Sequence, residues 1–549
     1  MKERHRRHLF STSFGLSSLL VLFRLTNSLL INTHFEPDEY FQTIEIAMGL
    51  LLKKQSVTWE WLFGIRSFVF VSVFYLPLWL SKSILSELVF MQVAPYIVKA
   101  VCALLAALGD YSTIKIYQLL IGTEEIPLEI VLVCTMNLGQ WLYSTRSHAN
   151  SLEMNVGMWI SARLLSIVSE RDKRTKLISL GVSAFISGLL IYIRTSSIFM
   201  IGVVWLYVLK KEVEQFWSAW LVVKRKGDIK QGVLLTYLGH SRVLALSTWL
   251  GVGLALGLGI LIDSWFYGEL VVSPFEFIRV NLVYGVSKLF GVLPGYVVLW
   301  FVVVLLGGYT GLLVFCRVSY LNLEVVVPAV YLVVHSLIGH KEMRFLLPVL
   351  PFFNLIIAKN MRRVWSEVGV GRGLIGRSSK FLFCKQFLAI NLLIGILIGI
   401  DHQNISRPLS FLRKECYRHI SSRSEPVFIF SAFNPYMLPF NTYLGHRRII
   451  VKSLDDNPDL SGVLDRLKRV QRYKHYNLVL QEHTIFSSAM ISNLKRAGIL
   501  EYDYLVINSQ YDTEIEQELP ELIKVHESLH MRIPYHQSVS IYKRPLRNK

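Results

Sequence analysis

The sequence predicts a mainly α-helical polytopic membrane protein, with about eleven membrane spans and a small α/β domain at the C-terminus. Three observations predict this. Hydrophobic residues make up 52% of the 549 positions and charged residues only 18%, where soluble chains carry roughly 25% charge. Apolar runs recur from residue 9 to residue 400, and most are near the ~20 residues that a helical span needs. Residues 402–549 are different in kind, with 21 Lys+Arg and 15 Asp+Glu set among short apolar runs. The composition excludes a soluble enzyme, a coiled coil and a disordered scaffold.

The N-terminal MKERHRRH is basic and precedes an apolar stretch from Leu9 to Ile31. It looks like a signal peptide but has no small-residue cleavage site, so it reads as an uncleaved first helix with a cytosolic N-terminus. Spans are expected near 10–31, 88–108, 127–145, 153–170, 177–193, 195–210, 240–262, 294–316, 318–339, 343–359 and 384–401. The stretch 68–81 reads as a further element, in-plane or re-entrant. The loops this topology makes cytosolic, 171–176, 210–230 and 359–380, are rich in Lys and Arg, as the positive-inside tendency requires. The same tendency accounts for the net charge of +19 without a nucleic-acid partner, for which no motif is present. Cys102, Cys134, Cys316 and Cys384 lie in or beside spans, and no CxxC occurs, so no disulfide framework is expected.

An odd number of spans puts residues 402–549 on the non-cytosolic side. Their runs PVFIF, YNLVLQ, YDYLVIN and SVSIY read as strands, and 458–472 and 485–498 as helices. The one Asn-x-Ser/Thr sequon, Asn404-Ile405-Ser406, falls on the same side. The chain therefore divides into a membrane domain, 1–401, with a first non-cytosolic loop at 32–87, and a domain at 402–549.

The first loop holds the densest polar chemistry. Pro37 suits the first turn of a helix, and Asp38 and Glu39 suit its positive end. At 3.6 residues per turn, Asp38, Gln42 and Glu45 share one face, while Phe41, Ile44, Met48 and Leu52 form another. That pattern predicts an interfacial helix with two carboxylates near the lipid headgroups. Periodicity alone favours a well-capped helix with solvated acids, flanked by a Trp59, Trp61 and Arg66 belt. Further polar clusters fall on the same side: 145–153, Arg194-Thr195-Ser196, 263–268 and 340–344. Arg24, inside the first span, is expected to snorkel or to pair with a neighbouring helix.

These motifs carry a resemblance. The run Phe23-Arg24-Leu25, then Phe35-Glu36-Pro37-Asp38-Glu39-Tyr40-Phe41-Gln42 with Glu45, resembles the first luminal loop of glycosyltransferase family 22, the dolichyl-phosphate-mannose-dependent mannosyltransferases. Thr58-Trp59-Glu60-Trp61 continues it. So do Thr145-Arg146 with Asn150-Ser151 and Glu153, Asp263-Ser264-Trp265-Phe266-Tyr267-Gly268, and His340-Lys341-Glu342 with Arg344-Phe345. The motifs follow the family's order over residues 23–351. The combination of PDEY-x-Q-x-x-E with TWEW looks most like members that add the third, α1,2-linked mannose to a glycosylphosphatidylinositol (GPI) precursor. Members adding the fourth usually have His before Pro-Asp-Glu, where this chain has Glu36. Ser431-Ala432-Phe433-Asn434-Pro435 stands where a Cys-His-Ser-Thr-Pro-like segment is expected.

The resemblance implies a GT-C fold, a place in the endoplasmic reticulum membrane, and inversion at the anomeric carbon. Its implied partners are two lipids, dolichyl-phosphate-mannose and the GPI precursor, with no cofactor and no metal. A hydroxyl nucleophile gains from a carboxylate base. Asp38 is the candidate, with Glu39 the second choice or the group that orients the acceptor. The leaving phosphate needs cations. His340, Lys341 and Arg344 are the candidates, with Arg66 and Arg146 as second choices. Gln42, Glu45, Trp59, Glu60, Arg146, Asn150, Asp263 and Tyr267 read as acceptor contacts or structural support. The alternatives are an N-glycan or fourth-position GPI mannosyltransferase and, in another class, a lipid transporter or scramblase. Internal repeats that a transporter would favour are not found.

Overall fold

The computed structural model describes residues 13–31, 33, 36–54, 56–170, 172–225, 231–314, 321–370, 386, 389–399, 406–422, 426–431, 440–453, 477–479, 502–508, 512–527 and 539–544. The chain forms two compact units. The first comprises Met1–Ser28, Gly64–Val69 and Ala100–Gly395; the second comprises Leu29–Phe63, Phe70–Lys99 and Ile396–Lys549. The first loop thus groups with the C-terminal region.

Among the described residues, Glu87–Ile121, Lys173–Ile193, Val243–Tyr267 and Met343–Arg363 are long and apolar enough to cross a membrane. Shorter apolar helices include Phe14–Leu30, Phe68–Ile84, Val297–Leu306, Leu323–Leu337 and Ala389–Gly399. The helix Glu87–Ile121 has 35 residues and is about 52 Å long at 1.5 Å per residue, so it outruns a bilayer core of about 30 Å. The element expected at 68–81 is the helix Phe68–Ile84.

Two expected spans are interrupted. The stretch 127–145 is two short helices, Leu128–Met136 and Leu138–Tyr143. Between them Asn137 is extended, and its side chain accepts from the Gln140 N–H at 2.9 Å and donates to Asn354 at 2.9 Å. The stretch 294–316 breaks after Val297–Leu306 at Gly307, whose φ of +53° suits glycine. Asn391 stitches that break, donating to the Leu306 carbonyl at 3.0 Å and accepting from Gly308 N–H at 2.6 Å. Apolarity counts residues and cannot see these breaks. Broken backbone survives at membrane depth only where protein groups satisfy it, and the two asparagines do so.

Elsewhere the helices pack through small residues. Lys173–Ile193 lies along Gln231–Tyr267, and a Cβ at Gly251 would stand 2.5 Å from the Gly181 carbonyl oxygen. A Cβ at Gly188 would stand 2.7 Å from that of Ala255. Close backbone approach of this kind drives helix pairing in lipid, where apolar burial contributes little. Arg24 does not snorkel. It is fully buried and grips Asp110 with two hydrogen bonds, Nε to Oδ2 at 2.6 Å and a terminal nitrogen to Oδ1 at 2.9 Å. Asn27 and the carbonyls of Cys134 and Gln140 take its remaining hydrogens.

The second unit carries a mixed sheet. Its strands are β2 (Val427–Ser431), β3 (Ile449–Ser453), β5 (Tyr504–Asn508), β6 (Ile523–Glu527) and β7 (Val539–Lys543), in the order β3-β2-β5-β7-β6. β2 is parallel to β3 and β5, and β7 is antiparallel to β5 and β6. Tyr504, Leu505, Val506 and Ile507 are all buried, the unalternating pattern of a central strand covered on both faces. The helix Ser406–Ser422 packs on the sheet and buries Leu409, Leu412, Cys416 and Ile420 at helical spacing. The run YNLVLQ holds the strand β4 (Asn477–Val479), which among the described residues joins no sheet of the tail. It pairs in parallel with β1 (Ser56–Thr58) from the first loop. The helices expected at 458–472 and 485–498, and Asn404, lie outside the described residues.

Candidate active site

The sequence-predicted residues fall into an acidic group in the second unit and a cationic group in the first. The acidic group begins with the turn after Pro37, where Tyr40 and Phe41 N–H both donate to the Pro37 carbonyl at 3.0 and 3.1 Å. Asp38 and Glu39 are buried there. The chain then makes a π-helical turn, Tyr40–Ile44, before the α-helix Glu45–Leu52. The extra residue in that turn shifts every later side chain off the 3.6-residue register. The expected amphipathic faces therefore do not form: Asp38, Gln42 and Glu45 are as buried as Phe41, Ile44 and Met48.

Hydrogen bonds to side chains and backbone tie the acidic loop down. Gln42 donates to the Glu60 carboxylate at 3.1 Å, and Trp61 donates to the Phe41 carbonyl at 3.0 Å. Thr43 Oγ1 donates to the Glu39 carbonyl at 2.8 Å. Glu45 accepts from the N–H groups of Asn441 and Thr442 at 3.0 and 2.8 Å, and from the Thr442 hydroxyl. The helix ends at Lys53 in the left-handed region, φ 56°. Lys54 then donates to the carbonyls of His446 and Ile449 at 2.8 and 2.9 Å. Tyr40 and Tyr443 meet hydroxyl to hydroxyl at 3.5 Å. The side chain of Trp59 lies outside what is described. The predicted interfacial helix is thus corrected to a buried helix held by residues 441–449 of the tail. Thr442 and Tyr443 are the residues that sequence reasoning missed, and no local signal marks them.

Burial pushes the Glu45 carboxyl up to about 7, against the three hydrogen bonds that pull it down. The sign follows. The folded state keeps a proton that the unfolded chain releases above about 4.5. Stability is then expected to be fully present below that value, to fall as pH rises to about 7, and to level off above it. The loss should be on the order of a few kcal/mol and absent in Glu45→Gln. Thermal unfolding of both proteins across this pH range reads it; parallel profiles would remove Glu45 as the cause.

The cationic group is pinned to its own chain. Glu342 accepts from His340 Nε2 at 2.8 Å on one oxygen and from Arg344 Nε on the other. The Glu342 hydrogen bond raises the His340 imidazole above its usual value. Burial works to raise the Glu342 carboxyl, but the Arg344 guanidinium and the two hydrogen bonds outweigh it and hold the group low. Lys341 Nζ donates to the carbonyls of Leu293, at 2.8 Å, and Ile338. The Phe345 ring lies 5.8 Å from the Arg344 guanidinium, 5.9 Å from that of Arg194 and 6.0 Å, edge to face, from the His340 ring. Arg194 in turn donates to Glu153 at 2.8 Å, and the other Glu153 oxygen accepts from Tyr331 at 3.2 Å.

The remaining predicted residues hold loops together. Asp263 accepts from Ser67 at 3.0 Å, from Phe68 N–H at 2.8 Å and from Ser273 at 2.6 Å. Tyr267 donates to the Arg66 carbonyl at 2.7 Å. Asp263 and Tyr267 thereby fix the segment that carries Arg66. Arg146 Nε donates to the Leu142 carbonyl at 2.6 Å, and Asn150 is buried nearby at the start of Ala149–Val168.

The Alg9-like mannosyltransferase family matches residues 16–445. GPI alpha-1,2-mannosyltransferase 3 of Homo sapiens is 23% identical over 539 residues, covering 91% of this chain and 86% of that protein. GPI mannosyltransferase 3 of Candida albicans is 26% identical, covering 72% and 70%. Among solved structures, ArnT from Cupriavidus metallidurans bound to undecaprenyl phosphate is similar over 96% of this chain and 97% of its own, with a TM-score of 0.50 and 13% identity. Its apo form gives 0.51. The likeness to ArnT concerns the fold alone.

Proposed function

Because this chain belongs to the Alg9-like mannosyltransferase family, we propose that it transfers mannose from dolichyl-phosphate-mannose to a GPI precursor, adding the third, α1,2-linked mannose. The mannosyltransferase class and the multi-pass membrane fold rest on the family and fold likeness. The observation that supports the finer reading is the near-full-length similarity to GPI alpha-1,2-mannosyltransferase 3, together with the PDEY-x-Q-x-x-E motif at 37–45 and TWEW at 58–61. The endoplasmic reticulum membrane is the place this reading assigns, with the N-terminus cytosolic.

In the proposed step the acceptor hydroxyl oxygen bonds to the mannose anomeric carbon as the bond from that carbon to the phosphate oxygen breaks. Attack from the opposite face inverts the centre. Asp38 takes the hydroxyl proton, and Glu39 orients the acceptor. The phosphate leaves with its electron pair and negative charge, for which His340, Arg344 and Arg66 are the cationic partners. Lys341, committed to two backbone carbonyls, supports this stretch of chain instead. A lipid phosphate stabilised by cations is a sufficient leaving group, so the proposal includes no metal.

The test is a membrane assay with dolichyl-phosphate-mannose and two acceptors, a two-mannose GPI precursor and an N-glycan precursor. The GPI precursor should gain one mannose that an α1,2-specific mannosidase removes, at a rate that a chelator leaves unchanged. Extension of the N-glycan precursor alone would overturn the acceptor assignment. Loss of activity to chelator, restored by one divalent ion, would overturn the metal-free step.

A further inference from the structure

A cavity of about 260 Å³ lies in the first unit, apart from the residues assigned to catalysis. It opens between Glu87–Ile121, Ala149–Val168 and the start of Lys173–Ile193. Its polar wall carries Lys115, Arg163 and Glu170; its apolar wall carries Trp159, Tyr111 and Ile167. Arg163 stacks its guanidinium 5.2 Å from the Trp159 ring centroid, and its Nε has no hydrogen-bond partner among the described residues. Glu170 already accepts from the Asp172 N–H at 2.9 Å on one oxygen, which leaves the other for a ligand. Two cations against one carboxylate leave one net positive charge, and a phosphodiester carries one negative charge. The charge asymmetry of the loops puts this end of Ala149–Val168 at the cytosolic face, beside the basic run 171–176.

We propose that this cavity binds the headgroup of an anionic phospholipid of the cytosolic leaflet, one that also carries hydroxyl groups. Lys115 and Arg163 take the phosphate, with Arg163 held flat by Trp159. Glu170 accepts from a headgroup hydroxyl, which a purely cationic patch would not provide. Tyr111, Trp159 and Ile167 accommodate the first part of the acyl chains. Basic pockets between helices at the cytosolic side have the chemistry for such headgroups.

Native mass spectrometry of the full-length protein in detergent tests this. Added phosphatidylinositol should be retained about tenfold better than phosphatidylcholine. The variant Lys115→Gln/Arg163→Gln should lose that preference. Lys210→Gln/Lys211→Gln, on an exposed basic stretch that does not line this cavity, should keep it. Thermal unfolding shows whether each variant is folded, and the preference of the wild type is read without any variant. No preference in the wild type, or equal preference in the folded cavity variant, overturns the proposal. Displacement of phosphatidylinositol by inorganic phosphate at equal concentration would assign the site to a free anion and overturn the lipid.

Discussion

Asp38→Asn is expected to lower mannose transfer by about 10²–10⁴-fold while the protein stays folded. The substitution keeps the size of the side chain and its capacity to hydrogen-bond, and it removes the proton acceptor. The backbone hydrogen bonds of the turn do not involve that carboxylate. The turn is closed by Tyr40 and Phe41 N–H on the Pro37 carbonyl, and Thr43 braces the Glu39 carbonyl. Glu39→Gln should cost less, because an orienting group loses affinity before it loses rate. Turnover of the GPI precursor, measured beside thermal unfolding of the same preparations, separates the two. A folded Asp38→Asn protein with near-normal turnover would make the carboxylate a structural acid at a helix start.

Arg24→Ala is expected to destabilise the protein by about 3–5 kcal/mol, the usual cost of leaving one member of a buried ion pair alone. Asp110 would remain fully buried within the helix Glu87–Ile121, with its charge unpaired and out of reach of water. The double variant Arg24→Met/Asp110→Leu should recover most of that loss, since it removes both charges and keeps the volume. Unfolding of the two variants in one detergent gives the comparison. Equal stability of Arg24→Ala and the wild type would mean that Asp110 is neutral in the native protein.

Much of the architecture was legible in the chain. Apolar length identified the helical core, and the short apolar runs PVFIF and YDYLVIN identified two adjacent strands of the tail sheet. The breaks at Asn137 and Gly307 were not legible, because a residue distant in sequence supports each: Asn354 holds the Asn137 side chain, and Asn391 completes the backbone at Gly307. The site was legible as a list of residues and not as an environment. Periodicity assumes 3.6 residues per turn, and the π-turn at Tyr40–Ile44 breaks that assumption inside the most informative motif. Glu45 reads as a surface acid until Asn441 and Thr442 are in place. Pairs separated by 396 and 397 residues leave no mark on local pattern.

That separation also sets a timetable for synthesis. A ribosome adding roughly 5–20 residues per second needs about 20–80 s to travel from Glu45 to Thr442. Through that interval β1 lacks its partner strand, Lys54 lacks the carbonyls of His446 and Ile449, and Glu45 lacks all three donors. The loop that carries Asp38 is made well before the residues, 441–449, that complete its fold. A message truncated before residue 440 would encode every acid of the motif and none of the tail residues that hold it in shape.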